Sequence, residues 1–319
     1  MSRAALDNGF EDVITIVADA EATAARLKDA LGYEEESRGL PDASFLALHD
    51  IEPADGWREI TVIQPQAGRG RMRLLQAPGP VPRVRRMGAR PWDVGGFFDT
   101  SLRSLGPIDD LMAAFCRNGF IAHAPVARFV MGDVEVFEGA VQDADGLCFA
   151  MAERIAPPLT GWEHIHGPAS NPFNSVIVVD DMDAGRRFFT EVLGWKILVD
   201  VPLTHKDGRN VMGLPLDIAR EKDVVVVIVQ EHGRMEGSVE LIHYPCEPLD
   251  FRADKPDWRG LASLCFPVSD LAGVLSRAEA HGAQIGAARP VLWADGRTVK
   301  AGWIMTPWAA RLVFFEEQA

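Results

Sequence analysis

Residues 175–183 read Ser175-Val176-Ile177-Val178-Val179-Asp180-Asp181-Met182-Asp183, and residues 13–21 read Val13-Ile14-Thr15-Ile16-Val17-Ala18-Asp19-Ala20-Glu21. Each is a β-branched run that stops at an acidic residue placed to cap a helix. An offset of 162 residues sets Asp19 on Asp181 and Leu31-Gly32-Tyr33 on Leu193-Gly194-Trp195. Further on, Leu74-Leu75-Gln76-Ala77-Pro78 falls on Leu241-Ile242-His243-Tyr244-Pro245. From Asn118-Gly119-Phe120 against His281-Gly282-Ala283 the offset is 163, and it holds without a gap to the end. One half of the chain is therefore a diverged copy of the other. The Pro/Gly-rich stretch from Ala156-Pro157-Pro158 to Asn171-Pro172 is the expected linker between them.

Each half divides again. Asn174–Val179 reads as a strand, Asp181 as a helix N-cap, and Gly194 as the stop, because glycine takes the left-handed backbone at little cost. Phe188, Phe189, Val192 and Leu193 bury one face of the helix between them. Strands are expected at Lys196–Pro202, Val224–Gln230 and Ser238–Tyr244. The last quarter repeats the plan with a strand at Ser263–Val268, a helix at Leu271–Ala280 stopped by Gly282, and strands at Val291–Trp293, Lys300–Met305 and Arg311–Phe315. The expectation is an α+β chain of four βαβββ modules, at about 8–78, 95–153, 171–245 and 260–317.

Composition narrows the function classes. The 319 residues are 47% hydrophobic and 24% charged, which is globular and excludes a disordered chain. The longest plainly apolar run, Val224 to Val229, is far short of the ~20 residues needed to span a bilayer. Acids follow Met1 almost at once and leave no signal-peptide core, so a cytoplasmic location is expected. A formal charge of −14 repels phosphate backbones and anionic lipid, so the expected partner is a small molecule, with no nucleic acid and no membrane. Cys116, Cys148, Cys246 and Cys265 form no Cys-x-x-Cys pair and read as buried thiols. The cluster Arg83, Arg85, Arg86 and Arg90 is expected to serve an intramolecular or subunit contact. The chain carries no dinucleotide, nucleophile-elbow, Walker or His-Glu-x-x-His motif.

The pattern resembles the vicinal oxygen chelate superfamily of glyoxalase, bleomycin-resistance and extradiol-dioxygenase-like proteins. The stretch Val176–Asp183 leading to Phe188-Phe189 and Val192-Leu193-Gly194-Trp195 is similar to the family's first strand and helix. Asp143-Ala144-Asp145-Gly146 resembles the turn before a module's last strand, and Val239-Glu240-Leu241-Ile242 that strand itself. The resemblance implies modules paired into two curved mixed-sheet domains, each enclosing a cavity: residues 1–155, a linker at 156–172, and residues 173–319. It also implies a divalent metal held near the start of each module's first strand and in its last strand. Those places carry Asn174, Glu240, Ser263 and Val313 in the C-terminal half, and Asp12, Arg73, roughly Thr100, and Ala150 in the N-terminal half. Neither set supplies the three ligands a catalytic ion generally needs, so no metal and no cofactor are expected.

Glu240 then stands out, since a carboxylate on an inward face costs free energy unless it is paired or used. Burial would raise its pKa toward that of a general base near neutral pH. Asn174, Ser263 and Tyr244 are candidate substrate contacts, and Arg311 on the last strand is either a further contact or the partner of Glu240 in a structural ion pair. His243 is also a candidate, although alternation turns it to the face opposite Glu240, Ile242 and Tyr244. Asp12 with Arg73 reads as an ion pair. His164-x-His166 reads as a solvated linker pair, and His205 stands either at a cavity mouth or simply exposed. Three functions stay open. The first is a metal-independent isomerase or lyase moving a proton on a small, partly apolar molecule. The second is a non-catalytic sequestering protein, and the third a dioxygenase with atypical ligands. A monomer or a homodimer fits each.

Overall fold

The computed structural model describes residues 9–317 except 206 and 294, so the expectation drawn from Met1–Asp7 lies outside the described residues. The first module contains β1 (Asp12–Val17), α1 (Ala20–Leu31), β2 (Glu34–Gly39), α2 (Ala43–Leu48), β3 (Arg58–Ile63) and β4 (Arg71–Gln76). The second contains β5 (Asp99–Ser104), α3 (Ile108–Arg117), β6 (Ile121–Ala122), β7 (Ala127–Met131), β8 (Val134–Gln142) and β9 (Cys148–Ala156). The third contains β10 (Asn174–Val178), α4 (Met182–Arg187), β11 (Lys196–Leu203), α5 (Leu216–Glu221), β12 (Val224–Gln230) and β13 (Ser238–His243). The fourth contains β14 (Gly260–Pro267), α6 (Leu271–Ala280), β15 (Gln284–Leu292), β16 (Thr298–Met305) and β17 (Arg311–Glu317).

The helix boundaries follow the capping chemistry. Asp19 accepts from the Ala22 amide at 3.0 Å and Asp181 from the Ala184 amide at 2.9 Å. Gly194 closes the third module's helix at φ 74°, after a π-helical turn over Phe188–Val192 that the apolar spacing did not announce. The short helices α2 and α5 are likewise additions to the βαβββ plan.

The strands form two mixed sheets. One has eight strands in the order β15-β16-β17-β14-β1-β4-β3-β2, and the other nine, in the order β11-β12-β13-β10-β5-β9-β8-β6 with β7 on β8. The curved sheets are therefore built across the two halves: the first module pairs with the fourth and the second with the third. This corrects the expectation that residues 1–155 and 173–319 each form a paired unit. Strand β1 runs antiparallel to β14 from Asp12↔Cys265 to Ile16↔Gly260, and β10 runs antiparallel to β5 from Asn174↔Ser101 to Val176↔Asp99. The physical reason is that every module presents the same free edge, its first strand. The hydrophobic pattern does not say which copy that edge takes.

Several contacts lock this arrangement. The Phe10 amide donates to Gly237 O at 3.2 Å, and a Cβ on Gly9 would sit 2.5 Å from that oxygen. Glycine also supplies the φ of 78° that this approach needs. The connecting segments between modules run side by side, bridged at Val84↔Arg259 and Val94↔Asp250. Here the arginine cluster makes intramolecular contacts: Arg85 donates to Pro256 O at 2.6 Å, and Arg86 to Asp93 O at 2.7 Å and Gly95 O at 2.9 Å. Aromatic residues from different modules meet between the sheets, with Trp195 and Phe266 at 5.1 Å and Phe10 and Phe266 at 6.1 Å. Cys148 and Cys265 are buried, but Cys116 is exposed and Cys246 half-buried, which corrects the expectation of four buried thiols. Among the described residues no helix is long and apolar enough to cross a membrane.

Because each sheet draws on both halves, residues 1–155 and 173–319 expressed apart should each lack native tertiary packing, and together should form a one-to-one complex. Near-ultraviolet circular dichroism and size-exclusion chromatography measure this. A natively packed, monomeric 173–319 fragment would contradict it.

Candidate functional site

The concave face of the eight-stranded sheet is filled. Helix α2 lays Phe45 and Leu46 on it, together with Trp293, Trp303 and Phe315, all buried. Arg73 crosses the middle, 1% exposed, with Nε on Glu59 at 2.6 Å, a guanidinium nitrogen 4.0 Å from Asp12, and its carbon 3.7 Å from the Phe45 ring centre. The closer partner of Arg73 is thus Glu59, with Asp12 second. Trp293 Nε1 donates to Asp12 at 3.0 Å, and burial pushes the Asp12 carboxyl up to about 6. Ser263 lies here as well, 2.8 Å from His49 Nε2, and burial drives His49 down to about 3. Arg311 donates to Leu48 O and Asp50 and lies 4.3 Å from the Trp303 ring centre. Ser263 and Arg311 are therefore removed from the site of Glu240. They belong to the fourth module, which faces the first.

The concave face of the nine-stranded sheet is open and encloses a cavity of about 300 Å³. Its walls are largely apolar: Val199 and Leu203 of β11, Val224, Val226 and Ile228 of β12, with Phe129, Val136, Phe173, Met212 and Leu214. Polar groups enter through strand alternation. Val176 of β10 is flanked in register by Asp99 of β5 and Glu240 of β13, whose backbones are roughly 10 Å apart across two strand spacings. In the next row Asn174 is flanked by Ser101 and Ser238. The Asn174 amide nitrogen donates to Ser238 Oγ at 3.0 Å, and its Oδ1 has no partner among the described residues. Tyr244, 4% exposed, lies two alternations beyond Glu240 on the same wall.

Glu240 makes no hydrogen bond or ion pair among the described residues. Burial raises its carboxyl to about 8, with Asp99 and Glu138 adding repulsion and Arg103 opposing. Burial also lifts Asp99 and Glu138 to about 7 each. Ser101 Oγ lies 3.4 Å from Asp99 Oδ1, and Asp99 Oδ2 is unpartnered. His243 is not among the residues lining the cavity: its Nδ1 lies 3.0 Å from Val179 O. His205 reaches the cavity mouth beside Phe129, their ring centres 6.0 Å apart, while His164 and His166 are exposed.

Sequence reasoning passed over Asp99, Arg103, Glu138 and Arg154, which all line this cavity. The signal was present: Asp99-x-Ser101-x-Arg103 puts three polar groups on one face of a strand, and Glu138 shares its face with Val136 and Ala140. Choosing Thr100 instead of its neighbours turned that strand over, since a one-residue slip exchanges its faces.

The metal that the family resemblance implies can be tested on the donors. In the open cavity the family's places hold Asn174, Glu240, the Asp99–Ser101 strand and Ala150. Asp99 and Glu240 are separated by the Val176 side chain, and Ala150 offers no ligand. Among the described residues no group of three or more His, Cys, Asp or Glu could hold a metal ion. The residues present do not fit the ion.

Paired βαβββ modules around a sheet-lined cavity define a tandem glyoxalase-type fold. The sequence model of the Glyoxalase/Bleomycin resistance protein/Dioxygenase superfamily matches residues 171–307. Glyoxalase I from Zea mays is similar over 97% of this chain and 92% of its own, with a TM-score of 0.64 and 13% identity. A putative dioxygenase from Bacillus subtilis subsp. subtilis str. 168 is similar over 99% of this chain and 87% of its own, with a TM-score of 0.61 and 11% identity. At these identities the likeness is one of fold. No curated protein matches the sequence.

Two stability outcomes follow. Arg73→Met leaves Glu59 and Asp12 buried without a cation and should cost about 3–5 kcal/mol, read from the denaturant midpoint. The Glu240 carboxyl has its pKa raised from 4.5 to about 8 on folding, so its contribution is full below about 4.5 and is lost as the pH rises through 8. Glu240→Gln should therefore be the more stable protein at pH 9, by on the order of 2 kcal/mol, and the gap should close at pH 5. A gap independent of pH would show that Glu240 is not desolvated.

Proposed function

We propose that the open cavity transfers a proton on a small, partly apolar organic molecule, as an isomerase or lyase, with Glu240 as the general base. The observation that carries this reading is the Glu240 carboxyl itself: unpartnered, inside an apolar cavity, and titrating near 8. A carboxylate of that basicity takes a proton from a carbon acid far more readily than an ordinary one near 4.5. It returns that proton to another carbon in an isomerisation. In an elimination the C–H electron pair becomes the double bond, the leaving group departs with its own bonding pair, and Glu240 passes the proton to that group or to solvent. The oxygen that gains charge needs donors in place of a metal. The Tyr244 hydroxyl supplies one, and Asp99, whose carboxyl is pushed up to about 7, supplies a second through its free Oδ2 in the protonated half of the molecules at neutral pH. A buried carboxylic acid held neutral can serve as such a donor. Asn174, with Oδ1 unpartnered, accepts from a substrate N–H or O–H.

A second reading, sequestration without turnover, is favoured by the predominantly apolar wall and the volume of the cavity. The dioxygenase reading draws no support from the donor set.

The two readings separate on one variant. If Glu240 is the base and Asp99 the donor, kcat/KM should rise about tenfold per pH unit up to about 7, pass through a maximum between 7 and 8, and fall above it. Glu240→Gln should lose roughly a hundredfold or more in kcat with ligand affinity retained. Unchanged turnover in the variant removes Glu240 as the base, and retained affinity with no turnover in either protein leaves the sequestering reading.

A further inference from the structure

Two guanidinium groups share one wall of the open cavity without a counter-ion. Arg103 of β5 pairs in register with Ala152 of β9, and Arg154 is the next residue of β9 on the same face. Both line the cavity. Arg103 is 8% exposed, its carbon 4.0 Å from the Phe173 ring centre, and its Nε has no hydrogen-bond partner among the described residues. The Arg154 Nε is also buried and unpartnered. Neither side chain makes an ion pair among the described residues. Glu236, Glu138 and Glu240 are the acids whose charge bears on Arg103, and none of them forms an ion pair with it among the described residues. Burial, then the like charge of Arg154, lowers Arg103 to about 10. By contrast, the buried arginine of the filled hollow, Arg73, takes Glu59 at 2.6 Å.

Like charges placed together out of water are costly, and an incoming anion is what relieves them. We propose that Arg103 and Arg154 bind the carboxylate of the substrate, so that the molecule is an apolar monoanionic acid whose body lies along β12 toward Glu240. This rests on the reading that the open cavity is the working site. A planar carboxylate matches the guanidinium fork. A dianionic phosphate would bring one charge more to a wall that also carries Asp99, Glu138 and Glu240. The pair would fix the substrate's position, and Glu240 would act at its other end.

The test uses the whole chain and 2-naphthoate as the probe, by calorimetry at pH 7 and low salt. Naphthoate should bind at least about tenfold tighter than the neutral 2-naphthamide, and tighter than 2-naphthyl phosphate. Arg103→Met and Arg154→Met should each lose about tenfold for naphthoate and leave naphthamide unchanged, and Arg→Lys at either position should recover part of the loss. Glu240→Gln should not weaken naphthoate, which separates this inference from the identity of the base. Equal binding of naphthoate and naphthamide by the unaltered protein would overturn the proposal, and tighter phosphate binding would overturn the carboxylate assignment. A protein that binds naphthoate in this manner yet shows no turnover would fail the catalytic reading and leave the anion site standing.

Discussion

The hydrogen-bonded seam between first strands holds the molecule together: β1 against β14 in one sheet, β5 against β10 in the other. A module by itself has a curved sheet with an unpaired edge, and an exposed edge of that kind is a liability in any protein. Pairing satisfies the edge, continues the curve and creates the hollow in a single step. The chain makes this seam twice, each time between modules from different halves. The parallel connecting segments, the glycine contact at Gly9 and Gly237, and the buried contacts of Arg85 and Arg86 are what such a crossing requires.

Duplication gave two hollows, and they have gone opposite ways. In one, α2 and a set of aromatic rings close around Arg73, and each charge there has a partner. The other keeps its space and its unpaired charges, with Glu240 titrating near 8. Unpaired groups of this kind are tolerated where a ligand will meet them and are otherwise removed by packing. The same scaffold therefore has one hollow specialised for stability and one with the marks of a site.

The repeat, the four modules and many strand boundaries were legible in the sequence, because period-two and helical patterns with acidic caps are local signals. Strand β12 and helix α6 follow the expected spans, Val224–Gln230 and Leu271–Ala280. Glu240 was legible as an inward carboxylate for the same reason. The partnership of modules was not, since it depends on which of four similar edges meet. That one choice carried Ser263 and Arg311 into the wrong hollow and left Asp99, Glu138 and the arginine pair unseen. The α2 plug was hidden too, its six residues being too few for a periodic signal.

The seam between Asp12 and Cys265 also bears on how the protein comes off the ribosome. At roughly 5–20 residues per second, β1 waits on the order of 10–50 seconds for its neighbour to be synthesised, with an open edge all that while. Contacts so distant in sequence slow the search for the native state, and the nascent chain is most open to wrong partners before its last quarter emerges. Selection on the early strands must then answer to those seconds as well as to the finished shape: Asp12 at the start of the waiting β1, and the acids Glu34, Glu35 and Glu36 on the outer strand β2, keep that unfinished sheet charged.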